Sequence, residues 1–368
     1  MSLILKTGIS NVRNISRYIF AEGAIEELPK ILRERRKVGS GSAVFLVDEF
    51  FKEKLESLLA PAIRDGDQVL FVSTHDEPTT EGIDDLTKLI RQNGGANCSA
   101  IVGMGGGTTM DTAKAVSNLL TNSGGAAKYQ GWDLVEKPAI FKIGILTLSG
   151  TGAEATRTCV MTNKETGLKL GMNSDHTVYD QLILDPNLTR TVERKQYFFS
   201  GMDAWIHCME SLAGTYRNPI GDAFSIQAMD LCEKVFSGGE MMSNNNRAKL
   251  MVASYLGGCA IATSYVGVVH PFSAGLSVVL GLHHCVANCI VMTAMESFYP
   301  ESFAQYSAFV ETNEIKIPRG VCSGLDAVGH NALYEATVVH EKPLTNALGE
   351  NFLKVLTRDR VREIFEAM

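Results

Sequence analysis

Within Gly201-Met202-Asp203-Ala204-Trp205-Ile206-His207 an aspartate and a histidine stand four residues apart, a spacing that puts both on one face of a helix. Two further histidines, His270 and His284, lie fourteen residues apart in a stretch without Asp, Glu, Lys or Arg. A buried histidine standing alone is ordinarily a hydrogen-bonded core residue. One carboxylate with three imidazoles reads differently: together they suit a divalent first-row metal and leave room for an outside oxygen ligand. Cys285 and Cys289, beside His283 and His284, offer a thiolate alternative, but the tighter Cys-x-x-Cys spacing of structural zinc sites is missing.

A second chemistry is written in Ser99-Ala100-Ile101-Val102-Gly103-Met104-Gly105-Gly106-Gly107-Thr108-Thr109-Met110-Asp111, a strand-like run and glycine loop followed by a helical stretch over 112–120. Consecutive glycines let the backbone approach a ligand, and amides at a helix start favour a pyrophosphate. Neither common phosphate motif is met. No Gly-Lys-Ser/Thr is present, and Gly103-x-Gly105 is not completed as G-x-G-x-x-G because Thr108 stands last. A tight structural turn is the alternative for this loop. Asp48 closes the apolar run 43–47, where an acid can accept from a ribose hydroxyl. It precedes the glycine loop, so any dinucleotide fold is rearranged, and N-capping is the plainer role for such an aspartate. A second loop, Thr147-Leu148-Ser149-Gly150-Thr151-Gly152-Ala153-Glu154, follows another strand-like run and would face the same strand ends.

These residues need elements to hold them. Short β-branched and aromatic runs at 43–47, 68–72, 99–102, 141–146, 159–162 and 182–184 alternate with amphipathic stretches at 51–59 and 82–92. That alternation predicts a parallel sheet with crossover helices. After Asp185-Pro186 the texture changes: helical patterns dominate from Glu193, Pro219 and Pro271 mark helix starts or kinks, and 237–246 reads as a polar loop. The expectation is an α/β domain over 1–190 and an all-helical domain over 191–368. Two domains also fit a length of 368 residues.

Composition narrows the function classes. A hydrophobic content of 45% excludes a disordered chain, and 34 Lys+Arg against 41 Asp+Glu, net −7, argues against a nucleic-acid partner. The charged fraction, 20%, falls short of the roughly 25% usual for soluble domains. The shortfall is local, since residues 250–295 contain no charged side chain. A membrane span needs about 20 apolar residues. This stretch, however, holds His270, Pro271, His283, His284, Asn288 and many Gly, Ser and Thr, and reads as helices buried in protein around a metal. A cation there would be answered mainly by Asp203 and a substrate oxygen. The opening MSLILKTGIS is too short an apolar stretch for a signal peptide, and eight scattered cysteines without Cys-x-x-Cys read as reduced thiols. A cytoplasmic protein with no membrane partner is expected.

Taken together, the motifs resemble the iron-containing (group III) alcohol dehydrogenases over most of residues 20–295. The carriers are GGGTTMDTAK at 105–114, TLSGTGAE at 147–154, ILDPNLT at 183–189, GMDAWIHCMES at 201–211, VH at 269–270 and HHCVAN at 283–288. The resemblance implies a Rossmann-like, nucleotide-binding α/β domain with a parallel sheet and an all-α C-terminal domain, the dehydroquinate synthase-like fold. It implies one divalent metal, Fe or Zn, on Asp203, His207, His270 and His284. It places NAD(P), with NAD favoured, against Asp48, Gly105, Gly106, Gly107, Thr108, Thr109, Thr147, Thr151, Val160 and Lys169. It also implies a homodimer.

Three departures stand out. The family's histidine four positions after the third ligand is Ala274 here, His283 stands where proline is usual, and GGGTT replaces a common Ser-Pro. His283 is the candidate proton relay, with a structural role as its alternative. The implied reaction is metal-assisted hydride transfer from an alcohol to NAD(P). The trimmed C-terminal part resembles a bacterial sugar-acid branch acting on C8 of 3-deoxy-D-manno-octulosonate (Kdo) in lipopolysaccharide biosynthesis. The alternatives are a generic alcohol or polyol dehydrogenase, a non-redox enzyme of the dehydroquinate-synthase type using NAD transiently, an O₂-using oxidase, and a non-enzymatic binding protein.

Overall fold

The structure is a computed structural model describing Ile9 and residues 12–368; apart from Ile9 the N-terminal MSLILKTGIS lies outside the described residues. The chain forms two compact units, one of Arg13–Leu148 with Ala153–Thr191, the other containing Ser149–Gly152 and Val192–Met368.

The first unit is built on six parallel strands: β1 (Arg17–Phe20), β2 (Ala43–Asp48), β3 (Gln68–Val72), β4 (Ala100–Gly105), β6 (Lys142–Leu146) and β9 (Gln181–Leu184), in the order β1-β9-β6-β4-β2-β3. Burial on both faces explains the near-continuous apolar character of β2, β4, β6 and β9. In β2, Val44 and Leu46 join a core with Ile101, Ala113 and Val116, while Phe45 and Val47 point the other way and join Leu28, Leu32, Val102 and Ile145. The covering helices are α1 (Leu28–Arg35), α2 (Leu55–Leu59), α3 (Thr80–Gln92) and α4 (Gly107–Thr121).

Three sequence expectations change here. The stretch 51–59 is not one helix but a 3-10 segment, Glu49–Lys54, leading into the short α2. The run 159–162 belongs to β7 (Thr158–Asn163), outside the parallel sheet. It pairs antiparallel with β8 (Leu168–Asn173), whose other edge takes β5 (Gly131–Trp132). And α4 starts five residues before the expected 112, inside the glycine loop, because extended Gly106 (φ −86°, ψ −165°) turns the chain straight into the helix.

The second unit is helical: α5 (Arg194–Ala213), α6 (Pro219–Phe236), α7 (Asn244–Ser264), α8 (Val269–Leu280), α9 (His284–Met292), α10 (Pro300–Thr312), α11 (Ala327–Val338), α12 (Glu341–Leu348), α13 (Phe352–Val355) and α14 (Arg358–Glu366). Pro219 opens α6, and Pro271 sits in the first turn of α8, where its missing N–H costs nothing. Ser149–Gly152 joins this unit rather than the α/β unit expected over 1–190. The Gly150 N–H donates to Ser254 Oγ (2.7 Å), and Gly150 packs so tightly on α5 that an added Cβ would overlap the Ser200 carbonyl oxygen at 1.7 Å. Among the described residues no single helix is long and apolar enough to cross a membrane, and α7 with α8 meets that composition only as a pair bent by 105°. The charge-free stretch 250–295 lies across α7, α8 and α9 and lines much of this unit's core.

Candidate functional site

The helical unit brings the four expected metal-site residues together. Asp203 and His207 project from one face of α5, His270 is the second residue of α8, and His284 is the first of α9. One ligand atom from each of Asp203, His207, His270 and His284 lies within 4.8 Å of the other three. Asp203 Oδ1 is 3.6 Å from His207 Nε2, 3.4 Å from His270 Nε2 and 3.7 Å from His284 Nε2. A tetrahedral site with bonds of about 2.0–2.1 Å has ligand edges of roughly 3.3–3.4 Å, close to these separations. Asp203 is fully buried, whereas 30% of the His284 side chain is exposed, so the cluster is most accessible at His284.

The electrostatics are those of a cation site. Burial opposes ionisation of Asp203, but the three imidazoles around it hold the carboxyl below the usual carboxylate range. Burial drives His207 down to about 4, against the pull of Asp203, so this ring is neutral and able to donate a lone pair. Burial would lower His270 as well, yet Glu210 and Asp203 lift it to about 9. One amide NH₂ reaches several of the convergent acceptors: Asn288 Nδ2 donates to Asp203 Oδ1 (2.6 Å) and lies 3.4 Å from His270 Nε2 and 3.2 Å from His284 Nε2. One carboxylate and three imidazole nitrogens focused on one point fit a borderline divalent ion of the Fe or Zn type.

Sequence reasoning gives no role to Glu210 or Asn288, and it weighs Cys285 only as a thiolate ligand together with Cys289. Glu210 follows His207 by three residues and shares its helix face, and its Oε2 lies 2.5 Å from His270 Nδ1. Cys285 Sγ lies 3.5 Å from Asp203 Oδ2. The signal for Glu210 was present, as a third acid or imidazole at i, i+4, i+7 on α5. His283 sits outside the four-residue cluster, exposed at the N-cap of α9 and making no side-chain cap hydrogen bond. Ala274 is buried on α8, one turn after His270.

The α/β unit aligns a second group of expected residues along the C-terminal ends of three neighbouring strands. Asp48 ends β2, Gly105 ends β4 beside it, and Leu146 of β6 is Gly105's register partner, so Thr147 comes next along that edge. The Thr147 N–H donates to the Gly105 carbonyl (3.1 Å). Gly107, Thr108 and Thr109 form the first turn of α4, where helix N–H groups lack intrahelical partners, and the N-cap residue, Gly106, has no side chain to cap them. Gly105 has to lack a side chain, since a Cβ there would lie 2.5 Å from Thr109 Oγ1.

Asp48 does cap the following 3-10 turn, accepting from the Phe50 N–H (3.0 Å) and from Thr74 Oγ1 (3.4 Å); its carboxyl is raised, burial outweighing those bonds. Val160 and Lys169 lie on the β7–β8 hairpin, and the Val160 N–H donates to Asp111 Oδ2 (2.9 Å). Lys169 is ion-paired with Glu77. Thr151 falls in the Ser149–Gly152 segment that packs with the helical unit.

Comparison with known proteins points to one family. A family described as iron-containing alcohol dehydrogenase matches residues 16–186, and its C-terminal counterpart matches residues 198–314. The chain is 31% identical to sulfoacetaldehyde reductase of Bilophila wadsworthia over 279 residues, 74% of this chain and 70% of that protein. It is 29% identical to NAD-dependent methanol dehydrogenase of Bacillus methanolicus over 287 residues, 76% and 73% of the two chains. In fold it is similar to a 1,3-propanediol oxidoreductase, with a TM-score of 0.83, 21% identity and coverage of 98% and 100%. Metal-type donors on three helices, glycine-loop amides at parallel strand ends and these matches lead to one assignment: the chain belongs to the iron-containing alcohol dehydrogenase family and is a metal-dependent oxidoreductase of CH–OH groups.

Proposed function

We propose that the enzyme oxidises a primary alcohol to an aldehyde, passing the hydride to NAD(P), and that Asp203, His207, His270 and His284 hold one divalent metal, Fe or Zn. The convergence of these four donors carries the reading. When bound, such a cation supplies Lewis-acid polarisation of a hydroxyl oxygen. The chain's own residues do the rest. Asp203 contributes negative charge, neutral His207 contributes a lone pair, and the accessible side at His284 admits the hydroxyl. The amides of Gly107, Thr108 and Thr109 bind the cofactor's pyrophosphate, with Gly105, Gly106, Thr147, Thr151, Val160 and Lys169 along its path. Asp48 accepts from the adenosine ribose and repels a 2′-phosphate, which favours NAD. Exposed His283 passes the proton to water, since Ala274 cannot.

For the substrate, we place the enzyme with the sugar-acid branch, acting on C8 of Kdo. The support is the resemblance of its trimmed C-terminal part. Eight buried, scattered cysteines without a Cys-x-x-Cys pair support a reducing cytoplasm. An edge strand, β1, with exposed Tyr18 (58%) and Phe20 (41%) supports a homodimer, which light scattering of the purified protein tests.

The deciding experiment is a panel of simple alcohols, diols, polyols and Kdo, followed at 340 nm with NAD⁺ and NADP⁺ after metal analysis. Kdo turnover with NAD⁺ above that of the short alcohols is expected. Preference for a short alcohol would overturn the sugar-acid assignment, preference for NADP⁺ the role of Asp48, and undiminished activity after complete metal removal the metal reading.

A further inference from the structure

Glu210 is fully buried, and both its oxygens are engaged. The Val269 N–H donates to Oε1 (2.5 Å), as does the Tyr299 hydroxyl (3.4 Å), and Oε2 faces His270 Nδ1 at 2.5 Å. The Tyr299 oxygen accepts in turn from the Val268 N–H (3.1 Å). The backbone is shaped around this group, because a Cβ on Gly267 would come 3.0 Å from Oε1 and 2.4 Å from the Tyr299 hydroxyl. None of these partners is a lysine or arginine, and α7, α8 and α9 bring none from the stretch 250–295. A buried carboxylate with an imidazole but no lysine or arginine among its partners is costly unless a further cation stands close by.

We propose that Glu210 is the second carboxylate of the metal centre, a positioning residue that acts through His270. This rests on the reading that Asp203, His207, His270 and His284 hold the metal. By accepting from Nδ1–H, Glu210 fixes the tautomer in which the His270 Nε2 lone pair faces Asp203 and the focal point of the donors. It also brings the negative charge around a divalent ion to two, matching it, so the cation is answered by Asp203 and Glu210 rather than mainly by Asp203 and a substrate oxygen. Glutamine cannot do the same work. If its NH₂ faces Nδ1, the imidazole proton moves to Nε2 and blocks the ligand atom. If its oxygen faces Nδ1, the NH₂ meets the Val269 N–H donor to donor.

The test uses the full-length enzyme, stripped and reloaded with Zn²⁺ or Co²⁺ alone at one fixed pH. Zn²⁺ affinity is read by chelator competition, and the Co²⁺ d–d spectrum reports the ligand field. Glu210→Gln is expected to weaken Zn²⁺ binding by about 10–100-fold and to shift the cobalt spectrum, which a purely structural role would leave unchanged. In a His270→Ala background the same change should cost at least about fivefold less, since its route of action is gone. Affinity within twofold of wild type, or an equal loss in both backgrounds, overturns the proposal. Should Glu210→Gln not fold, Glu210→Asp keeps the charge but shortens the arm by one methylene; a loss of at least about fivefold is expected, and undiminished affinity overturns the proposal there too. Wild-type protein that takes up no stoichiometric Zn²⁺ sinks the underlying metal reading itself, a different result from either failure of Glu210.

Discussion

In the proposed metal centre, Asp203 carries the decisive charge. It is fully buried, and three imidazole nitrogens and one amide NH₂ surround its Oδ1. Asp203→Asn preserves shape but removes that charge, and its amide would oppose the Asn288 amide. Zn²⁺ or Fe²⁺ affinity should fall by more than about 100-fold, beyond the range of changes that act through a ligand's neighbour, and turnover should fall with it. NAD⁺ binding, followed by tryptophan or nicotinamide fluorescence, should change less than about twofold. Parallel loss of both would show that the two groups of residues are not separable. His283 makes a second residue-scale case. Positioned proton transfer contributes about 10²–10⁴-fold, and an exposed relay works with solvent in competition, so the low end applies. His283→Ala should lower kcat by about 100-fold, leave metal content unchanged and recover with added imidazole. A KM effect without imidazole rescue would assign the ring a binding role instead.

At the scale of elements, the turn between β4 and α4 is the least tolerant part of the α/β unit. Gly105→Ala would press its methyl against Thr109 and push the first turn of α4 away from the strand end. NAD⁺ Kd should rise at least about tenfold, a loss of about 1.4 kcal/mol, while metal content stays at the wild-type level. An unchanged Kd would mean that these amides do not contact the cofactor. This turn also shows what a sequence conceals. The glycine loop was legible, but the start of its helix at Gly107 was not, since Gly106 supplies the N-cap through backbone conformation alone, without Ser, Thr, Asp or Asn. Likewise β2, β3 and β6 were readable as apolar runs, whereas β8 was not, because Leu168, Leu170 and Met172 alternate with Lys169, Gly171 and Asn173 without a single β-branched or aromatic residue. Of the four side chains that converge, Asp203 and His207 were legible because i, i+4 spacing on α5 encodes a shared face, and His270 and His284 because they stand in a stretch free of charged residues. Glu210 escaped because an acid in a helix looks like a solvated residue until tertiary packing buries it.

For the molecule as a whole, buried thiols govern how stability responds to alkali. Burial pushes Cys98 and Cys208 up to about 12 and Cys322 to about 11, and Cys159, Cys232 and Cys289 rise further still, all from an ordinary value of 9.0. An unfolded chain releases these protons as pH passes 9, while the folded chain keeps them. The unfolded state then binds fewer protons, so unfolding free energy falls as pH rises. Each thiol that has ionised only in the unfolded chain contributes about 1.4 kcal/mol per pH unit to that slope. Lys142 opposes the trend. Burial lowers it to about 8 in the folded chain, against the partial compensation of Asp180, so between 8 and the ordinary 10.5 it adds stability with rising pH. One such amine sets itself against six thiols, and the thiols win. Both units carry them, Cys98 and Cys159 in the α/β unit and the other four in the helical unit. Thermal midpoints under reducing conditions should therefore hold nearly level from pH 7 to 8.5 and drop steeply from 9 to 10.5. Replacing Cys208 and Cys232 with alanine should flatten the alkaline slope even while lowering the midpoint at neutral pH through the cavities left behind. A midpoint that stays level through pH 10.5 in the wild type, or a slope unchanged by the double replacement, would place the alkaline response elsewhere.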